Sequence, residues 1–131
     1  AGALTSLVEV LRVGTAQGKS NAAFVIGELA RDAATRALIV AAGALPLLVA
    51  LLRACTEQGT TNAAAAVARL ANNMPTRALI VEAGALPLLV ALLRTGTELG
   101  KANAAGAIGS LAHNAPTRAL IVEAGALHCR R

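Results

Sequence analysis

Apolar residues in this chain recur at helical spacing. Leu-Leu-Val-Ala-Leu-Leu stands at 47–52 and again at 88–93, each time between a proline and an arginine. Leu4, Leu7, Val8 and Leu11 follow the three-and-four spacing of one helix face. No stretch alternates with period two, so strands are not expected. The pattern also repeats as a block: Ala-Gly-Ala-Leu occurs at 1–4, 42–45, 83–86 and 124–127, each 41 residues after the last. Residues 42–82 and 83–123 differ at only 11 of 41 positions, and 1–41 is a more diverged copy. The chain therefore reads as one domain over 1–131, built of units 1–41, 42–82 and 83–123 with a stub at 124–131. A unit this short cannot bury its own apolar face. Stacked units share a continuous core, which predicts an all-α fold, a right-handed α-solenoid.

Each unit reads as three helices. The short one runs from Thr35 to Ala41 in its first copy, and Thr35, Thr76 and Thr117 are its expected N-caps. Pro75 and Pro116 are expected to break the preceding helix, and Gly43, Gly84 and Gly125 to stop the short one in left-handed conformation. The second helix carries Pro46 or Pro87 in its first turn, with Thr5 in the first copy, and closes at Arg53 or Arg94. A third, longer helix follows Thr15, Thr56 or Thr97 and ends near Ala30, Ala71 or Ala112.

Composition sharpens this picture. Hydrophobic residues make up 56% of the 131, yet there is one Phe and no Trp or Tyr. Small side chains gain stability when helices approach closely. No apolar run is long enough to span a bilayer, and no basic leader opens the chain, so neither membrane insertion nor secretion is expected. Cys55 and Cys129 fit neither a disulfide framework nor a zinc site; free thiols in an intracellular compartment, cytoplasm or nucleus, are expected.

A net charge of +5 invites a nucleic-acid reading, but much of it repeats with the architecture. Arg12, Arg53 and Arg94 end second helices, while Arg36, Arg77 and Arg118 open short ones; pairing with Glu82 and Glu123 across units is expected. The remaining Lys19, Arg31, Arg69, Lys101, Arg130 and Arg131 have a single aromatic beside them for base stacking. A nucleic-acid partner therefore ranks below a protein one.

The text from Ile80 to Arg94, with its Gly84-Ala85-Leu86-Pro87 junction, resembles the armadillo repeat, and Asn103 to Ala112 resembles that family's third helix. The resemblance covers essentially the whole chain. It implies a concave groove, lined by third helices, that holds extended peptides. The importin-type groove uses a Trp and, four residues later, an Asn on each third helix. Here the Trp positions hold Phe24, Ala65 and Gly106, and the Asn positions hold Glu28, Arg69 and Ser110. That ladder is absent, so cargo binding of the importin kind is not implied. Asn21, Asn62 and Asn103, three residues before the Trp positions, would face the groove in the family or satisfy backbone groups locally.

The copies also differ selectively. The face 58, 62, 65, 69, 72 corresponds to 99, 103, 106, 110, 113, and four of the five positions change between the two units. In the first unit it reads Gln17, Asn21, Phe24, Glu28 and Arg31. Structural positions repeat while this stripe diverges, as a ligand-facing surface would, and as an unconstrained solvated face also would. The candidate partner-binding residues are accordingly Gln17, Asn21, Phe24, Glu28, Arg31, Gln58, Asn62, Arg69, Asn103, Ser110 and His113. Phe24 and Arg31 are the expected anchors, since interface hot spots favour aromatic and arginine side chains, although a lone Phe is often core.

Catalysis is not expected. Ser110 and His113 have the spacing of a nucleophile and its base, but no acid is placed to orient the imidazole. The glycines mark the period and form no phosphate loop, and no cofactor or metal is implied. Leu4, Leu7, Val8 and Leu11 at one end, and Ile121, Val122 and Leu127 at the other, are expected to lie bare and to permit a homo-oligomer. The resulting expectation is a non-catalytic scaffold that binds an extended peptide or protein. The alternative is a structural or self-assembling segment of a longer armadillo protein.

Overall fold

The computed structural model describes the backbone of residues 2–54 and 56–129, and side chains through Ala124. Cys55, the side chains of Leu127 and Cys129, and Arg130 and Arg131 lie outside the described residues. Among those described, every element is helical: α1 (Gly2–Val13), α2 (Ala16–Leu29), α3 (Ala33–Ala41), α4 (Ala44–Arg53), α5 (Glu57–Leu70), α6 (Met74–Glu82), α7 (Ala85–Thr95), α8 (Glu98–Leu111) and α9 (Ala115–Cys129). The second helices α1, α4 and α7 form one layer and the third helices α2, α5 and α8 another, with the short helices at the turns.

The glycine junction makes the layers possible. Gly43 and Gly84 adopt φ of 85° and 86°, a region that costs other residues Cβ crowding. Each donates its N–H back to the short helix, Gly43 to Val40 O at 3.0 Å, and then starts the second helix at a bend of 83° or 85°. Pro46 and Pro87 fall in that helix's first turn, where the missing N–H costs nothing. Thr15 and Thr97 cap the third helices, their hydroxyls accepting from Gly18 N and Gly100 N at 3.0 Å. The Thr56 hydroxyl makes no cap bond.

Ile26, Ile39, Leu48, Leu70, Ile80, Leu89 and Leu111 are fully buried between the layers. Alanines do the rest: Ala63, Ala64 and Ala66 on α5 are 0% exposed and let third helices approach one another. A Cβ added to Gly27 would lie 3.5 Å from the Ala66 Cα. Among the described residues no single helix is long and apolar enough to cross a membrane.

Several expectations need correction. The short helices begin two residues earlier than expected, at Ala33, Met74 and Ala115, with Asp32 and Asn73 at the first two N-cap positions. Thr76 and Thr117 are buried inside the first turn instead of capping it. Pro75 is a first-turn residue of α6 and breaks nothing, because α5 has already ended at Leu70. Gly125 is no left-handed cap: α9 continues through it to Cys129. At the other junctions a proline ring would clash with the carbonyl four residues back in a continuous helix; here His128 stands in the proline's place and permits continuation.

The expected Arg–Glu ladder does not appear among the ion pairs of the described residues. The described ion pairs are Arg12–Glu9, Arg31–Glu28 and Arg69–Glu28, and none involves Glu82 or Glu123. Arg36, Arg77 and Arg118 instead donate to Ala30 O (2.6 Å), Ala71 O (2.7 Å) and Ala112 O (3.2 Å). They satisfy the open carbonyls at third-helix ends, where the helix dipole favours a cation. Finally, α1 does not present a bare face. Val8 and Leu11 are buried and Leu4 and Leu7 pack against the core, because that stripe faces the neighbouring helices. Ile121 likewise packs against the core, whereas Val122 is 71% exposed.

Candidate binding face of the third helices

The outward faces of α2, α5 and α8 gather the divergent positions on one surface. Phe24 is 55% exposed and is therefore no core residue. Glu28 sits one turn along from it and forms an ion pair with Arg31, whose Nε lies 3.2 Å away in the turn just beyond α2. Arg69 reaches across from α5, placing Nη1 3.6 Å from the second Glu28 oxygen. It passes over Gly27, where a Cβ would come within 3.2 Å of that same Nη1.

Between these groups lies a hollow of about 120 Å³ lined by Phe24, Gly27, Glu28, Thr61, Asn62, Ala65, Arg69, Leu99 and Asn103. It exists because Ala65 offers only a methyl group between the larger Phe24 and Leu99. Leu99 is 63% exposed.

The asparagine ladder binds the stack to itself. Asn62 Nδ2 donates to Ser20 O at 3.0 Å and to Ser20 Oγ at 3.1 Å, and Asn103 Nδ2 donates to Thr61 O at 3.2 Å. Each thereby satisfies the backbone of the preceding third helix while its flank still lines the hollow. In α2 the corresponding Asn21 is exposed and accepts from Gln17 Nε2 at 3.0 Å. Gln17 also donates to Gln58 Oε1 at 3.4 Å, linking two further candidates across units.

Ser110 is half-buried near the end of α8, and His113 is exposed in the turn beyond it. These two stand apart from the hollow. The described His, Cys, Asp and Glu side chains form no cluster able to hold a metal ion. Gly27, Thr61, Ala65 and Leu99 line the hollow without having been candidates. Leu99 and Ala65 were visible as variable positions of the stripe, but nothing in the sequence marked Gly27.

These elements define an α-solenoid of three-helix repeats, whose units gain stability mainly by stacking on their neighbours. The repeat and the fold are those of armadillo-repeat proteins. Residues 72–113 match the model for the armadillo/beta-catenin-like repeat. A designed armadillo repeat protein, YIII(Dq)4CqI, superposes with a TM-score of 0.89 at 36% identity over 95% of this chain and 54% of its own. A second, YIII(Dq.V1)4CPAF, solved in complex with the peptide (KR)4, gives 0.87 at 33% identity over 96% and 54%. Computationally designed armadillo repeat proteins for modular peptide recognition give 0.88 at 36% identity over 96% and 54%. The chain thus spans about half the length of these structures. No protein of curated function matches the sequence.

Proposed function

We propose that this chain is a non-catalytic interaction scaffold that binds an extended peptide, or an extended segment of a protein, along the concave face of α2, α5 and α8. The observation that carries the reading is the hollow at Ala65, walled by the exposed Phe24 and Leu99 and closed by polar groups that can meet a peptide backbone. Internal positions of the repeat are nearly constant while this face varies, and similar designed proteins are described as recognising peptides. The setting we propose is intracellular, in keeping with two cysteines that suit no disulfide framework.

Selection of binders from a random peptide display library tests this. The expected result is that the selected peptides lose at least about tenfold in affinity to the combined variant Phe24→Ala, Ala65→Arg, whose helicity is unchanged. Peptides that bind both proteins equally would place recognition elsewhere.

A second reading, self-association, is favoured by one comparison along the stack. Leu29 is 39% exposed, whereas its counterparts Leu70 and Leu111 are 0% exposed beneath the preceding third helix. Val25 repeats the contrast, at 39% against 0% for Ala66 and Ala107. The front of α2 thus offers the surface that α5 and α8 use within the chain, and a second copy can supply the covering unit. Light scattering over a range of concentrations is expected to give a mass that rises with concentration, and Leu29→Lys to suppress the rise. A constant monomer mass would remove this reading.

A further inference from the structure

The charge on the third-helix face points to the chemistry of the peptide. Glu28 is the acid shared by two arginines, Arg31 at 3.2 Å and Arg69 at 3.6 Å, so one positive charge at the hollow is uncompensated. The Arg69 contact is long and reaches a single carboxylate oxygen, while a guanidinium carries five N–H donors in a planar fork. Its side chain is 30% exposed, screened on one side by the helices yet open towards the hollow.

The surroundings have the same sign. Segments 28–36, 69–77 and 110–118, which form the carboxyl-end rim of this face, hold five arginines against the acids Glu28 and Asp32. Three of those arginines, Arg36, Arg77 and Arg118, spend donors on helix-end carbonyls, but their charge remains at the rim. Fields of one sign along a groove raise the local concentration of the opposite charge.

We propose that this face selects an acidic extended peptide, seating an aliphatic side chain in the hollow beside Ala65 and a carboxylate two residues away on Arg69. The spacing follows from the geometry of extended chains, in which alternate side chains point the same way. The aliphatic group meets Phe24 and Leu99, and the carboxylate takes up donors that Glu28 leaves unused. The inference rests on the peptide-binding reading above.

Fluorescence anisotropy with three labelled octapeptides, two repeats of Val-Ser-Xaa-Ser with aspartate, serine or lysine at Xaa, so that valine and the tested side chain stand two residues apart, tests it. The aspartate peptide is expected to bind at least about tenfold tighter than the serine peptide, as a charge-assisted bond requires, with the lysine peptide weakest. Its affinity should fall as salt is raised. Arg69→Ser, which introduces the residue type that the next unit carries at Ser110, is expected to bring the aspartate-to-serine ratio towards one while circular dichroism is unchanged. Glu28→Gln is expected to tighten the aspartate peptide. A lysine peptide that binds best, or an aspartate-to-serine ratio untouched by Arg69→Ser, overturns the acidic preference and leaves the groove standing, provided that Ala65→Arg still weakens the serine peptide. Binding of all three peptides that Ala65→Arg leaves unaltered overturns the groove as well.

Discussion

Replacing Leu89 by alanine should lower the stability of the chain by about 3 kcal/mol, within the range seen when a buried leucine loses its branched end and a cavity remains. Leu89 lies on α7, is 0% exposed and belongs to the core shared by the two helix layers. Its neighbour Leu88 is only half-buried, so Leu88→Ala on the same helix should cost distinctly less. Urea unfolding followed by circular dichroism measures both. In a stack where each unit contacts only its neighbours, Leu89→Ala should also fray the last unit first. Its amides on α8 would then exchange hydrogen faster than those on α2. A loss below about 1 kcal/mol would mean that the site collapses around the smaller side chain, and that the core between α7 and α8 is looser than its burial indicates.

Ala66→Leu is the second large effect, from the opposite cause. Ala66 is 0% exposed, and its backbone lies 3.5 Å from where a side chain would begin at Gly27. Three added carbon atoms have no room between α2 and α5, so the helices must separate, at about 3 kcal/mol, the upper part of the usual range for overpacking. The control is one residue away. Ala65→Leu changes helix propensity equally but points into the hollow, where half-exposure leaves space; its cost should stay within about 0.5 kcal/mol. The same control should fill the hollow and weaken any peptide bound there. Thermal melts of the two variants separate packing from propensity, and equal shifts would refute the close approach of α2 and α5.

Both predictions turn on positions that the repeat pattern made legible to different degrees. Leu89 could be named as core from sequence because it recurs as Leu48 in the same apolar run, and recurrence at constant period marks whatever holds units together. The left-handed Gly43 and Gly84 were legible for a similar reason: a glycine followed three residues on by a proline implies a helix stop and a fresh helix start. Gly125 was misread by carrying the period on to it, although the proline three residues on is missing there and nothing forces the bend. The short-helix boundaries were misplaced because asparagine and aspartate three residues before a threonine compete for the cap, and local patterning does not decide between them.

From the sequence alone came the 41-residue period, the three-helix unit, the all-α stack and the identity of the variable stripe. These rest on local propensities and apolar spacing, which repeat wherever the text repeats. Partnership between units was decided by the tertiary structure. That Asn62 bonds to Ser20, that Arg36, Arg77 and Arg118 close helix ends instead of meeting Glu82, and that Arg69 crosses Gly27 to Glu28 all depend on how far each third helix is turned and shifted against the last. A period counts residues along the chain; the rotation between stacked helices is set by the packing of their side chains, and only that rotation determines which donor meets which acceptor.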